Sequence, residues 1–268
     1  AILVMSVNAW YILKQKPLVI PKPAFKISLA VAMVFSLMQL FTGHKSADGV
    51  ARNQPAKLAA LEGHFDSSAV ADMYLLGWVN KSTQTTYGLK IPGGLSFLLH
   101  QNFSTPVQGL NAFSPQDRPT QVNAIFQFYH IMVAIGMLLI GLTLYAGLQW
   151  RRGRLFQQKW LLWAFVWAVL LPQIANQAGW FAAEMGRQPW VVYGLLRTSD
   201  ALSRTVQAEQ VLTSLILFTL VYATLFVLFL YLLNKKIKHG PGNYHMPDDE
   251  QNESFTTRNN PLMSSPAH

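Results

Sequence analysis

No cysteine occurs anywhere in the 268 residues. Disulfides, thiolate nucleophiles, thiolate-bound iron–sulfur clusters and cysteine-type zinc sites are therefore all excluded. Charge is scarce as well. Only 12% of residues are charged, against 51% hydrophobic, where soluble domains carry about 25% charged residues. That deficit points to a membrane protein. What charge there is sums to +9, but its placement argues against a nucleic-acid partner.

Four apolar segments are long enough to span a bilayer, which takes roughly 20 residues. They cover about 26–43, 120–149, 159–185 and 210–233. A fifth apolar run, AILVMSVNAWYILKQK at 1–16, is shorter and ends on lysines. A signal peptide has the reverse order, charge first, so this run is expected to be a truncated transmembrane helix. Lys14, Lys16, Lys22 and Lys26 form one basic cluster. Arg151, Arg152, Arg154 and Lys159 form a second, and Lys235, Lys236 and Lys238 a third, with no acid among the eleven. All three clusters fall on one side of the expected topology, which the positive-inside rule makes cytoplasmic. The loop 44–119 on the other side holds six basic and five acidic residues, close to neutral, and is expected to be extracytoplasmic. The expected fold is thus an all-α integral membrane bundle: one truncated helix plus four full spans. By segment it reads as 1–43, the cut helix, a cytoplasmic loop and one span; 44–119, the outer loop; 120–239, a three-span bundle; and 240–268, a polar, disordered cytoplasmic tail.

The third span carries Gln173, Gln177, Trp180, Glu184 and Arg187, spaced four, three, four and three. This spacing sets them on one helix face. Pro172, just before them, is expected to kink the helix. An acid at membrane depth marks a functional site by default, with Arg187 as its local partner. A Glu–Arg pair at a helix end also suits simple snorkelling to the interface, where tryptophans gather. A functional Glu184 could be a proton relay or a metal ligand, and the residues alone leave both open, a transporter or proton channel included. In the second span, His130 and Met132 are both haem-ligand types. Two residues apart on a helix they point about 200° apart, so they do not serve one iron. In the loop, NQPAKLAALEGHF at 53–65 reads as a short amphipathic helix from Pro55 that carries Lys57 and Glu62.

Together these segments resemble subunit I, the large subunit of the cytochrome bd-type quinol oxidases. GWFAAE at 179–184 followed by GRQPW at 186–190 resembles that family's signature. QPAKLAALE at 54–62 resembles the start of its quinol-binding loop, and IMVAIG at 131–136 its haem-ligating methionine segment. The loop 44–119 resembles the short form found in the branch called cyanide-insensitive oxidases. The resemblance implies a subunit that oxidises quinol at the outer face and reduces O2 to water, in electrogenic respiratory electron transfer. It implies a low-spin haem b, a high-spin haem b and either haem d or a third haem b. Met132 would then be an axial ligand of the low-spin haem iron. Glu184 would ligate the high-spin haem iron, with Trp180 and Arg187 beside it. Lys57, Glu62 and Gln54 would serve the quinol, and His130 would neighbour a haem edge or propionate. Implied partners are subunit II, a small single-span subunit and membrane lipid, in a bacterial or archaeal plasma membrane. The chain resembles the end of one helix and the last four spans of that larger bundle; the family's remaining haem histidines have no counterpart in these residues.

Overall fold

The computed structural model describes residues 1–16, 19–68, 70–103, 105–203 and 205–240. The tail expected to be disordered lies outside them, except for Gly240. Helix α1, Ile2–Leu13, forms most of the first apolar run. Helix α2 runs from Pro21 to Asn53. Its prolines sit in the first turn, where the backbone N–H has no helical partner to lose. At 1.5 Å per residue its 33 residues reach about 50 Å, against a hydrocarbon core of about 30 Å. The helix therefore continues ten residues past position 43, and the segment assigned to the outer loop begins as helix. It ends at Gln54 for a local reason: Pro55 disfavours the α conformation in the residue before it. Gln54 adopts φ −141° and ψ 61°, and Pro55 opens a new helix, α3, Pro55–Leu61.

Beyond α3 the loop is more ordered than its sequence suggests. Strands β1, Met73–Asn80, and β2, Thr85–Ile91, pair as an antiparallel hairpin, followed by the short helix α4, Gly94–His100. Two single-turn 3-10 segments, Leu110–Ala112 and Pro115–Asp117, lead into α5, Val122–Arg151. The third expected span is broken into α6, Lys159–Trp167, and α7, Leu171–Gly186, with axes 41° apart. Pro172 is the second residue of α7. Its ring excludes the carbonyl four residues back and it lacks an N–H, so the helix stops before it and restarts around it. A small hairpin, β3 Trp190–Val192 and β4 Leu196–Arg197, follows. Helices α2, α5 and α8, Ala208–His239, are long and apolar enough to cross a membrane, and the bent α6–α7 pair makes four if it counts as one span. Among the described residues, 213–240 belong to a second compact unit. Within it, the last turn of α8 carries Lys236, Lys238 and His239, the sign that suits a helix C-terminus.

In the first unit, Met5, Ala9, Phe25, Leu29, Ala146 and Phe165 pack α1, α2, α5 and α6 together, and Phe25 meets Phe165 edge-on at 5.2 Å. A second cluster joins α3, the hairpin, the start of α5 and the C-terminal half of α7 through Ala59, Phe65, Val79, Ile125, Phe126 and Ala182. This second cluster places the candidate site.

Candidate functional site

Helix α7 has two faces. Ala178, Ala182 and Gly186, spaced four apart, are buried, and their small side chains let neighbouring backbones approach. Gly179 meets Met132 of α5 so closely that a Cβ there would lie 2.5 Å from the Met132 Sδ. The stripe read from the sequence lies on the other face. Gln173 and Gln177 are exposed, Trp180 is 57% exposed, and Glu184 pairs with Arg187 at 2.5 Å, their side chains 38% and 39% exposed. An aromatic, a carboxylate and a guanidinium thus stand in a row on this face, the aromatic exposed and the ion pair partly covered.

Lys57 comes to the same place from α3. Its aliphatic stem lies over Gly186: a Cβ on that glycine would be 3.2 Å from Lys57 Cγ. Burial holds the Lys57 ammonium below the usual lysine range. Glu184 opposes that shift and Arg187 adds to it, so all three charges are within electrostatic reach. Gln54, Lys57, Arg187, Gln188, Trp190 and Tyr193 line one recess. Three buried polar atoms there have no protein partner: Gln54 Oε1, Arg187 Nε and Trp190 Nε1. An unsatisfied buried polar group costs about 1–3 kcal/mol, so these three atoms mark a polar spot that is closed to a water-sized molecule in this structure and lacks partners within the described residues. Two nitrogen donors, an ammonium and one amide acceptor converge on it.

The GRQPW segment is held against the loop on both sides. Arg197, paired with Trp190 across β3 and β4, stacks over the Trp190 ring at 4.7 Å and bonds Asp117 at 2.5 Å. Tyr193 bonds the backbone of Ala56. The recess is therefore walled by two loop segments far apart in sequence, 54–57 and 117–119, and by the end of α7.

Glu62 does not enter this recess. It caps α3 on a different face from Lys57, is 2% exposed, and takes a hydrogen bond from the Tyr129 hydroxyl of α5. Its Oε2 has no partner. Burial pushes its carboxyl up to about 7, against the smaller opposite effect of Tyr129. The pair expected as one quinol-binding set is thus split over two faces of α3. The sequence marks Tyr129 only by its place in QFYH, beside His130, which is too little to assign it a role. The two ring nitrogens of His130 lie 2.8 Å from the Phe126 carbonyl and 2.7 Å from the Tyr74 carbonyl, so in this structure it ties α5 to β1.

Among the described residues no three His, Cys, Asp or Glu side chains cluster to hold a metal ion. The two donors expected from the sequence, the Met132 thioether on α5 and the Glu184 carboxylate on α7, belong to no such cluster. Single axial donors suit a haem, whose macrocycle supplies the other ligands.

Comparison with known proteins agrees with this architecture. The profile of the family Cytochrome bd terminal oxidase subunit I matches residues 1–241. Cytochrome bd ubiquinol oxidase subunit 1 of Bacillus subtilis (strain 168) is 33% identical over 259 residues, 91% of this chain and 55% of the relative. Cytochrome bd-II ubiquinol oxidase subunit 1 of Escherichia coli (strain K12) is 27% identical over 307 residues, 90% of this chain and 60% of the relative. The bd oxidase structure from Geobacillus thermodenitrificans superposes with a TM-score of 0.77 at 30% identity, over 90% of this chain and 55% of that one. The chain spans about half the length of the relatives it matches. With a family-profile match over residues 1–241 and a relative covering 91% of it at 33% identity, the chain belongs to the cytochrome bd terminal oxidase subunit I family.

Proposed function

We propose that this chain is a haem-carrying part of a terminal oxidase that oxidises quinol on the extracytoplasmic side and reduces O2 to water. The observation that carries this reading is the recess. Gln54 and Lys57, from one motif, and Arg187 and Trp190, from another more than a hundred residues on, present polar groups to one space beside Glu184, three of their atoms unpaired. Once opened, such a space would take the oxygen of a quinol ring, with Gln54 accepting a hydrogen bond from the quinol hydroxyl while Lys57 and Trp190 donate. Glu62, buried on the neighbouring face of α3, is the acceptor for a released proton.

Bound haem would supply one-electron transfer from quinol toward dioxygen. This chain's part is to hold it. Met132 would provide a neutral thioether to a low-spin haem b, a ligand type that raises the potential. Glu184 would bind the iron of a high-spin haem b. Trp180 would lie along that haem, and Arg187 would fix the carboxylate. A third haem, d or b, would be shared with the rest of the oxidase. Subunit II, a small single-span subunit and lipid are the proposed partners, in a bacterial or archaeal plasma membrane with residues 44–119 outside and the C-terminus inside. Quinol protons released outside and oxygen protons drawn from inside would make turnover electrogenic.

The test is the reduced-minus-oxidised spectrum of the assembled oxidase, which should show b-type bands and, where the third haem is d-type, a d band. A complex that assembles free of haem overturns the reading. Within it, Met132→Leu should displace the low-spin b band and lower its potential; an unchanged band and potential would remove Met132 as ligand. Lys57→Met should raise KM for quinol about 10–100-fold, on the scale of a charge-assisted hydrogen bond of about 1.5–3 kcal/mol. Steady-state quinol titration reads that change, with the haem spectrum intact.

A further inference from the structure

Three side chains on one face of α5 bond the backbone of β1. The Asn123 Oδ1 accepts the Val79 N–H at 3.0 Å, the Gln127 Nε2 donates to the Gly77 carbonyl at 2.7 Å, and the His130 Nε2 lies 2.7 Å from the Tyr74 carbonyl. Spacings of four and three down the helix keep the donors and acceptors on one face. Val79 and Gly77, two apart on a strand, turn the same way. The register shift between Tyr74 and Leu76 resets the alternation, so that Tyr74 also offers its carbonyl to α5. The hairpin has only two strands, so β1 keeps one edge unpaired by β2, and such an edge needs covering. Here the polar face of a membrane helix covers it, running antiparallel to the strand: 123, 127 and 130 against 79, 77 and 74.

The hairpin reaches Glu62 by its other strand. Thr86 Oγ1 on β2 donates to the Gly63 carbonyl at 2.6 Å. Gly63 has φ +62°, which favours glycine, and a Cβ there would lie 2.8 Å from Thr86 Oγ1, 2.9 Å from Val79 Cγ2 and 3.2 Å from Phe126 Cδ2. The residue after Glu62 is thus pressed between β1, β2 and α5. Phe126 itself is stacked on His130, with centroids 3.8 Å apart. We infer that Asn123, Gln127 and His130 are positioning residues: they fasten the hairpin to α5 as a surrogate third strand and so hold it over Gly63 as the cover of Glu62. This rests on Glu62 being the proton acceptor of the quinol reading. Of the titratable groups on the segments around Glu62, Tyr129 on α5 bonds it, His130 on α5 turns to Tyr74 of β1, and Lys57 on α3 turns to Gly186. His64 follows Glu62 in sequence, Tyr87 and Lys90 stand on β2, the latter paired with Asp72, and Glu184 of α7 pairs with Arg187 at the end of that helix.

The test uses the assembled oxidase carrying Asn123→Leu with Gln127→Leu. Asn123→Asp, which keeps an acceptor for Val79, is the conservative control. Two quantities are read without turnover: amide exchange over 73–80, and the infrared titration midpoint of the Glu62 carboxyl, identified as the band lost in Glu62→Gln. The leucine pair should speed exchange at least about tenfold, as an opened edge requires. It should also lower the midpoint by about one unit or more, because dehydration is what holds it up. The Asp control should stay near wild type in both. Faster exchange with an unmoved midpoint overturns the inference, and so does unchanged exchange. If the leucine pair fails to assemble, Thr86→Val, which cuts only the bond to Gly63, is read by the midpoint alone; a lowered midpoint supports the inference and an unmoved one overturns it. None of these readings needs quinol, so a Glu62→Gln oxidase that still oxidises quinol normally would remove the functional reading and leave the positioning result standing.

Discussion

Glu184→Ala should strip the high-spin b haem from the assembled oxidase while leaving the low-spin b band largely in place. The expectation follows from the geometry of α7. Glu184 and Arg187 pair, their side chains 38% and 39% exposed, on a face that carries the exposed Trp180 one turn earlier. Met132 lies elsewhere, its sulfur against Gly179, so the two proposed iron ligands are structurally separable. The alanine removes the one carboxylate on the stripe and leaves Arg187 without its counter-ion. Changing an outer partner of a ligand costs roughly 10–100-fold in affinity. Arg187→Leu should fall in that range, and Glu184→Ala should exceed it. Haem extraction and the difference spectrum measure both. Equal loss of both b haems in Glu184→Ala would mean that the variant disrupts the bundle instead, and undiminished high-spin haem would remove Glu184 as ligand.

The α7 stripe is legible in the sequence itself, because residues spaced three and four apart on a helix must share a face. The break before Pro172 is legible too, since proline cannot continue the preceding turn. Two features are less so. The first is the loop. Its hairpin lacks an Asn-Gly or Asp-Gly turn, the strongest short-range signal; residues 81–84 are Lys, Ser, Thr and Gln. Its strands are largely exposed, so no clean apolar alternation marks them. The second is the partition of α3. Five residues of helix put Lys57 and Glu62 about 140° apart, yet which neighbour each meets depends on how α3 packs between α5 and α7. The same spacing rule that exposes the α7 stripe applies to Asn123, Gln127 and His130, but an amide on an apolar span looks like a minor polar interruption until the strand beside it is placed.

Glu62→Gln should lower quinol turnover about 10²–10⁴-fold, the range in which a positioned acid or base contributes, and should remove the rising limb of the pH profile. The sign follows from burial. Glu62 titrates at about 7 because the site is dry. Below that pH it carries a proton and accepts none; above it the carboxylate is free to take up one released by quinol in the recess on the other face of α3. In the native protein kcat/KM should therefore rise with pH through about 7. Glutamine keeps the volume and can still take the Tyr129 hydroxyl bond, so lost activity with intact haem bands reports lost proton transfer and not a collapsed loop. Tyr129→Phe separates the cause further. The Tyr129 bond favours the charged carboxylate, so its removal should move the limb to higher pH while leaving the plateau rate standing. A rising limb that survives Glu62→Gln unchanged would assign the titration to another group. In that case Lys57, on the recess side of α3, becomes the remaining proton carrier of the two expected there, and a shift of the limb in Lys57→Met would show it.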